Sequence, residues 1–188
     1  MPRLIEASEG RRVVLFVDAA HFVFGAFLGY LWSFTRIFVK TPSGRQRFNV
    51  LGAVDAMSQK VTTICNETYV NAITVCDLLR KVIEEYTNMP VTLVMDNARY
   101  QRCALVMGFA KELGIELLFL PPYSPNLNLI ERYWKFVKKK CLKSRYYESF
   151  DLFKTSIITG LKKSNDEWQE NLKTLLTVNF QSFDNANK

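Results

Sequence analysis

The sequence has one histidine, His21, and four cysteines, and neither supplies a framework. Cys65, Cys76, Cys103 and Cys141 show no C-x-x-C or C-x-x-H spacing, which excludes a zinc ribbon or finger and a disulfide scaffold and points to a reducing, cytoplasmic compartment. Long apolar runs are missing too. The longest near the start, His21–Trp32, carries the histidine, two glycines and no basic leader, so neither a membrane span nor a signal peptide is expected. There is no internal repeat, no low-complexity linker, and no Ser, Tyr or Cys set arranged as a nucleophile with its base.

What is present is enough apolar material for one core: 188 residues, 48% hydrophobic. The chain divides into a short polar lead-in over residues 1–12, frayed at its start, a domain over 13–165, and a C-terminal helix and tail over 166–188. The net charge of +7 is unevenly spread. Residues 97–145 hold ten Lys or Arg against three acids, so this segment carries the whole excess. A charge run is commonly a solvated helix face. Here it surrounds a group of candidate site acids, which favours a polyanionic partner such as DNA.

Apolar runs locate the elements. Val13–Val17 is unbroken and ends in Asp18, as in a central strand buried on both faces. Val91–Met95 repeats the pattern and ends in Asp96. Tyr30–Val39 and Arg47–Val54 read as strands joined through Thr41–Gly44, and Lys60–Thr68 as a weaker one. A helix is expected from Asn71, its N-cap, to the Asn88–Pro90 turn. Another is expected over Tyr100–Leu113, stopped by Gly114, with a strand over Ile115–Leu120 after it. In Leu118–Lys140, prolines 121, 122 and 125 fix a turn, and Ser124 caps a basic amphipathic helix. Its apolar stripe is Leu127, Ile130, Trp134, Val137 and Cys141, with Glu131 at the edge beside Lys135 and Lys138. Helices near Phe150–Lys163 and Glu167–Leu176 complete a mixed sheet flanked by helices.

Two strands ending in aspartate, with a helix carrying Glu131 towards the same end, suggest a carboxylate cluster. Side chains ending adjacent strands stand roughly 4.8 Å apart. Carboxylates that close repel one another unless a hard cation lies among them. Mg²⁺ takes one or two carboxylates and keeps other positions for water or phosphate oxygens. A pair of such ions activates a water or hydroxyl and stabilises the leaving oxygen of a phosphodiester. Each acid also has a structural reading. Asp96-Asn97 suits a helix cap, and Glu131 an i,i+4 pair with Lys135. Asp55, after another apolar strand, reads as the start of a turn and serves as the decoy.

The motifs FVDAAHF (Phe16–Phe22), LVMDNARYQ (Leu93–Gln101) and LPPYSPNLNLIERYWKFVKKK (Leu120–Lys140) resemble the DDE catalytic domain of mariner-superfamily transposases, in particular the bacterial insertion-sequence branch. NVLGAVD (Asn49–Asp55) is similar to that family's third-strand region, and the 34 residues between Asp96 and Glu131 match its spacing. The resemblance runs from about Val13 to Lys163. It implies an α/β, RNase H-like five-stranded mixed sheet flanked by helices, with Asp18, Asp96 and Glu131 as the catalytic, metal-binding acids. It further implies two Mg²⁺ ions (Mn²⁺ substituting), cut-and-paste transposition in the bacterial cytoplasm at the nucleoid, transposon-end and target DNA as partners, and a homodimer in the active complex. Lys135, Lys138, Lys139, Arg99 and Asn97 are the candidate DNA contacts, and the lysines would meet backbone phosphate without reading sequence.

Two departures stand out. Many relatives have Glu directly after the first aspartate, where this chain has Ala19, Ala20 and His21. Relatives also carry helix-turn-helix domains upstream, whereas seventeen residues precede Asp18 here. The expectation is therefore a separately encoded catalytic half, a frameshifted product or a remnant, with recognition supplied in cis or in trans. The competing readings are a degenerate transposase that binds DNA or regulates without cutting, and another RNase H-like nuclease.

Overall fold

A computed structural model of the chain describes residues 2–25, 33–35, 46–121 and 127–178. The expected strand Tyr30–Val39, its Thr41–Gly44 turn and the Ser124–Pro125 cap fall wholly or mostly outside these residues.

Five strands form one sheet, in the order β3-β2-β1-β4-β5. They are β1 (Val13–Val23), β2 (Arg47–Asp55), β3 (Val61–Asn66), β4 (Val91–Met95) and β5 (Glu116–Phe119). β1 runs antiparallel to β2, and β2 antiparallel to β3; β1, β4 and β5 are parallel. The sheet is thus mixed, as expected from the order of strands and helices along the chain.

Each central strand alternates between two cores. Val14, Phe16, Ala20 and Phe22 of β1 join a core with Val94 and the buried stripe of α4 (Ile130–Cys141). Val13, Leu15 and Val17 join a second core with Leu93, Met95 and the apolar face of α2 (Ala72–Glu85). The period of two therefore assigns Asp18 and Asp96 to the α4 face. α3 (Ala104–Glu112) packs with α2, while α5 (Phe150–Ser164) and α6 (Gln169–Leu175) pack with α4. Tyr133, fully buried, donates its hydroxyl to Ser164 Oγ at 3.0 Å and ties α4 to α5.

Several boundaries differ from expectation. The lead-in contains an element of its own: residues Pro2–Ser8 form α1. Arg3 bridges Glu116 at 2.8 Å, and Arg12 bridges Glu6 at 2.6 Å, pinning this helix to β5 and to the start of β1. β1 does not stop at Asp18 but continues to Val23 against β2. α3 begins at Ala104 and not at Tyr100, because residues 98–102 turn tightly, with Gln101 N–H and Arg102 N–H both donating to the Ala98 carbonyl. The expected Asn71 cap is present: its side chain accepts from the Thr74 N–H at 3.0 Å, and Thr74 reciprocates to complete a capping box. Gly114 has φ +69, the left-handed conformation that ends α3. All four cysteines are free.

Candidate active site

The site is built where β1 changes company. β1 and β4 pair in parallel register from Val13↔Val91 to Val17↔Met95, and there the pairing ends. Asp18 and Asp96 are the next residue on each strand, level with one another and on the same face. Beyond that point β1 continues with only β2 beside it among the described residues, so Asp18 sits inside a strand and also at a fork in the sheet.

α4 crosses this fork. Its apolar stripe, Ile130, Tyr133, Trp134, Val137 and Cys141, is buried as the periodicity predicts, and Leu127 packs partly buried beside it. Glu131 lies in the first turn, where the helix N-terminus favours a carboxylate. The close approach depends on Gly52, the register partner of Asp18 on β2. A Cβ there would lie 2.8 Å from both Cζ2 and Cη2 of Trp134 and 3.2 Å from Ile130 Cδ1. Glycine thus opens the notch that seats α4 against the sheet. Asn128, buried just ahead of α4, donates its amide to the Val17 carbonyl at 3.3 Å and fixes the helix start beside Asp18.

The result is a groove of about 270 Å³ lined by Asp18–His21 on one side and by Glu131, Trp134, Lys135 and Lys138 on the other. Burial pushes the Asp18 carboxyl up from 3.8 to about 7; the neighbouring charges of Asp96 and Glu131 add to the rise, while the Ala19 N–H and the Trp134 indole oppose it. Three acids therefore share one electrostatic neighbourhood. None of them forms an ion pair among the described residues, and Glu131 in particular does not pair with Lys135. Mutually repelling carboxylates without a basic partner, two of them half-buried and Asp96 exposed, are the donor set a hard divalent cation takes. Among the described residues no three His, Cys, Asp or Glu side chains converge as a ready-made metal cage. The arrangement is open, which suits a cation that draws on one or two carboxylates and otherwise on water or phosphate oxygens.

The remaining candidates divide. Lys135 and Lys138 line the groove; Lys139, exposed, does not. Asn97 does not cap a helix: its amide donates to the Leu120 carbonyl at 3.0 Å, tying the loop after β4 to the end of β5. Arg99 is exposed in the turn that follows. Asp55 behaves as the decoy it was taken for, its Oδ1 accepting from Met57 N–H at 2.8 Å and Ser58 N–H at 3.0 Å. His21 lines the groove and bonds through Nδ1 to Asn49 Oδ1 at 2.6 Å. Tyr100 was missed by sequence reasoning. Its phenol is pushed up to about 12, chiefly by burial and then by the charges of Asp96 and Asp18, so it stands near the acids. Only its place four residues after Asp96 hinted at this.

Comparison with known proteins decides the family. Residues 13–154, well over half of the chain, match the family described as DDE superfamily endonuclease. The chain belongs to that family. The uncharacterized protein y4pE/y4sA of Sinorhizobium fredii (strain NBRC 101917 / NGR234) is 36% identical over 54 residues, 29% of this DDE chain and 40% of that protein. Among solved structures, the Mos1 transposase paired-end complex with left transposon end superposes with a TM-score of 0.58 at 14% identity, over 95% of this chain and 59% of that one. The HTLV-2 integrase catalytic core domain in complex with magnesium gives 0.55 at 14% identity, over 83% of this chain and 87% of that one. The fold is the RNase H-like fold of integrase and transposase catalytic cores. The DDE chain spans under two-thirds of the Mos1 transposase and of the Sinorhizobium relative.

Proposed function

We propose that this DDE domain is the catalytic part of a mariner-superfamily transposase of the bacterial insertion-sequence branch, working at the nucleoid in the bacterial cytoplasm. In this reading it cuts transposon ends and joins them to target DNA. The observation that carries the reading is the fork in the sheet: Asp18 and Asp96 level on neighbouring parallel strands, with α4, seated on the Gly52 notch, carrying Glu131 into the groove that Asp18 lines. The transposon end held by the Mos1 structure and the magnesium held by the HTLV-2 core support DNA as substrate and Mg²⁺ as cofactor.

Asp18, Asp96 and Glu131 are the residues that would hold two Mg²⁺ ions, with Mn²⁺ as a substitute. Such ions supply an activated water or 3′-hydroxyl and charge stabilisation at the leaving oxygen of a phosphodiester. The chain's own part is to hold three carboxylates on one face, with their backbones fixed by the β1–β4 register and by Asn128. Lys135 and Lys138 meet the phosphates flanking the scissile one, where they offset the charge of the incoming strand. Tyr100 supplies a neutral hydroxyl beside Asp96. Recognition of the ends falls to a helix-turn-helix partner in cis or in trans, and the active complex is a homodimer.

The test is cleavage of end-containing DNA by the purified chain together with its recognition partner, with and without Mg²⁺. Asp18→Asn, Asp96→Asn and Glu131→Gln each abolish cutting while keeping the thermal melt cooperative, and Asp55→Asn keeps activity. Full cutting by any of the three acid variants overturns the assignment. DNA binding without cutting under every metal condition leaves the chain a DNA-binding remnant.

A further inference from the structure

Trp134 is four per cent exposed, and its indole N–H makes no hydrogen bond of ordinary geometry, although it lies near enough to Asp18 to favour that carboxylate's charged form. A buried N–H without a partner is costly, and native interiors seldom keep one. The ring's surroundings show where this one is aimed. Cζ2 and Cη2 rest over Gly52, so the indole edge carrying Nε1, two bonds round the ring from Cζ2 by way of Cε2, lies next to that notch. Asp18 is the register partner of Gly52, on the same face and on the adjacent strand. Asp18 and Trp134 also line the same groove. The other side of the indole is held by Phe22, edge-on at 6.3 Å between centroids, and by Tyr133 at 4.9 Å. These contacts leave the ring little freedom to turn its N–H elsewhere.

We propose that Trp134 is a positioning residue of the site: seated on Gly52, it directs its indole N–H to the Asp18 carboxylate and holds that carboxylate facing the groove. One carboxylate oxygen then answers the indole, and the other is left for a cation. The charge-assisted N–H···O contact is of the stronger kind, and it fixes a rotamer that burial alone does not. Gly52, Trp134 and Asp18 thus form one unit across two strands and a helix. A side chain at residue 52 displaces the ring, and with it both the N–H and the register of Glu131 one turn back on the same helix. The metal-binding half of this inference rests on the function proposed above; the contact itself does not.

The experiment uses the full chain labelled with ¹⁵N-tryptophan, so that the indole N–H resonances of its three tryptophans are observed. Trp134→Phe assigns the relevant signal by its loss. Asp18→Ala should move that signal upfield by several tenths of a ppm or more, with the Trp168 signal left in place as the check on folding. Mg²⁺ titration of the wild-type chain should shift the same resonance. Calorimetry should show Trp134→Phe and Gly52→Ala each weakening the Mg²⁺ dissociation constant about three- to tenfold, in Trp134→Phe with the melting temperature nearly kept. A Trp134 signal indifferent to Asp18→Ala overturns the contact. If the wild-type chain binds no Mg²⁺ while Asp18→Ala still moves the indole, the proposed function fails and the Trp134–Asp18 contact stands. Wild-type affinity in Trp134→Phe refutes the positioning role.

Discussion

Replacing Asp18 by Asn should stabilise the metal-free protein at neutral and alkaline pH. Burial raises the native carboxyl from 3.8 to about 7, with Asp96 and Glu131 contributing. As pH rises past 4, the unfolded chain loses this proton while the native chain keeps it. Native stability therefore falls with pH between about 4 and 7 and levels off above that window. The span of about 3 pH units, at 1.36 kcal/mol each, sets a ceiling of about 4 kcal/mol. Asp18 keeps some solvent contact on the groove side, and relaxation around it lowers the penalty further, to about 1–3 kcal/mol. For a chain of this length each kcal/mol moves Tm by about 2–4 °C.

The assay is a series of thermal melts of wild type and Asp18→Asn in EDTA from pH 4 to 9. The two should nearly coincide at pH 4, and the variant should melt about 3–10 °C higher from pH 8 upward. Saturating Mg²⁺ should raise the wild type more than the variant, since it binds the native carboxylate. A variant that is less stable than wild type at pH 8, or a gap constant across the pH range, refutes the view that Asp18 is held against its ionisation.

Other expectations are local. Asp55→Ala removes the acceptor for two backbone N–H groups and should cost about 1–3 kcal/mol in a urea melt, leaving Mg²⁺ affinity unchanged by calorimetry. Lys135→Ala and Lys138→Ala should each lower the slope of log K against log salt for duplex binding by about 0.9 per lost phosphate contact, with Lys139→Ala doing less because it stands outside the groove. A Cβ on Gly160 would run into Cys141 Sγ, so Gly160→Ala should destabilise by about 1–3 kcal/mol, and Cys141→Ala in the same chain should restore part of that loss in a double-mutant cycle.

Much of the fold was legible because its signals are local. Val13–Val17 is a continuous apolar run and Val91–Met95 is apolar but for Thr92, the pattern of strands buried on both faces. The stripe of α4 was readable from spacing, and the Asn71 cap from one side chain before a periodic segment. Asp55 was recognisable as a turn former for the same reason. What escaped depends on partners remote in sequence. α1 is held by Arg3 on Glu116, 113 residues away, and nothing in Pro2–Ser8 announces that partner. Asp18 reads as a strand end because β4 stops there; the strand continues because β2, more than thirty residues downstream, goes on pairing with it. Nothing in NVLGAVD singles out Gly52, and Trp134 reads as one member of the apolar stripe; only the fold sets one above the other.

That fork explains why the acids lie where they do. A carboxylate in the middle of a fully flanked strand would be sealed in an apolar layer, and one beyond the strand would lose its fixed direction. One residue past the β1–β4 ladder, Asp18 keeps the backbone order that β2 imposes while its side chain reaches the groove that opens as β4 departs. Asp96, on the strand that does end, is exposed, and Glu131, on a helix, is intermediate. The three therefore differ in how firmly the fold holds them, and burial raises the carboxyl of Asp18 well above its ordinary range. The acid whose backbone the fold controls best is thus also one held against its own charge, and a cation arriving at the groove relieves that cost at Asp18.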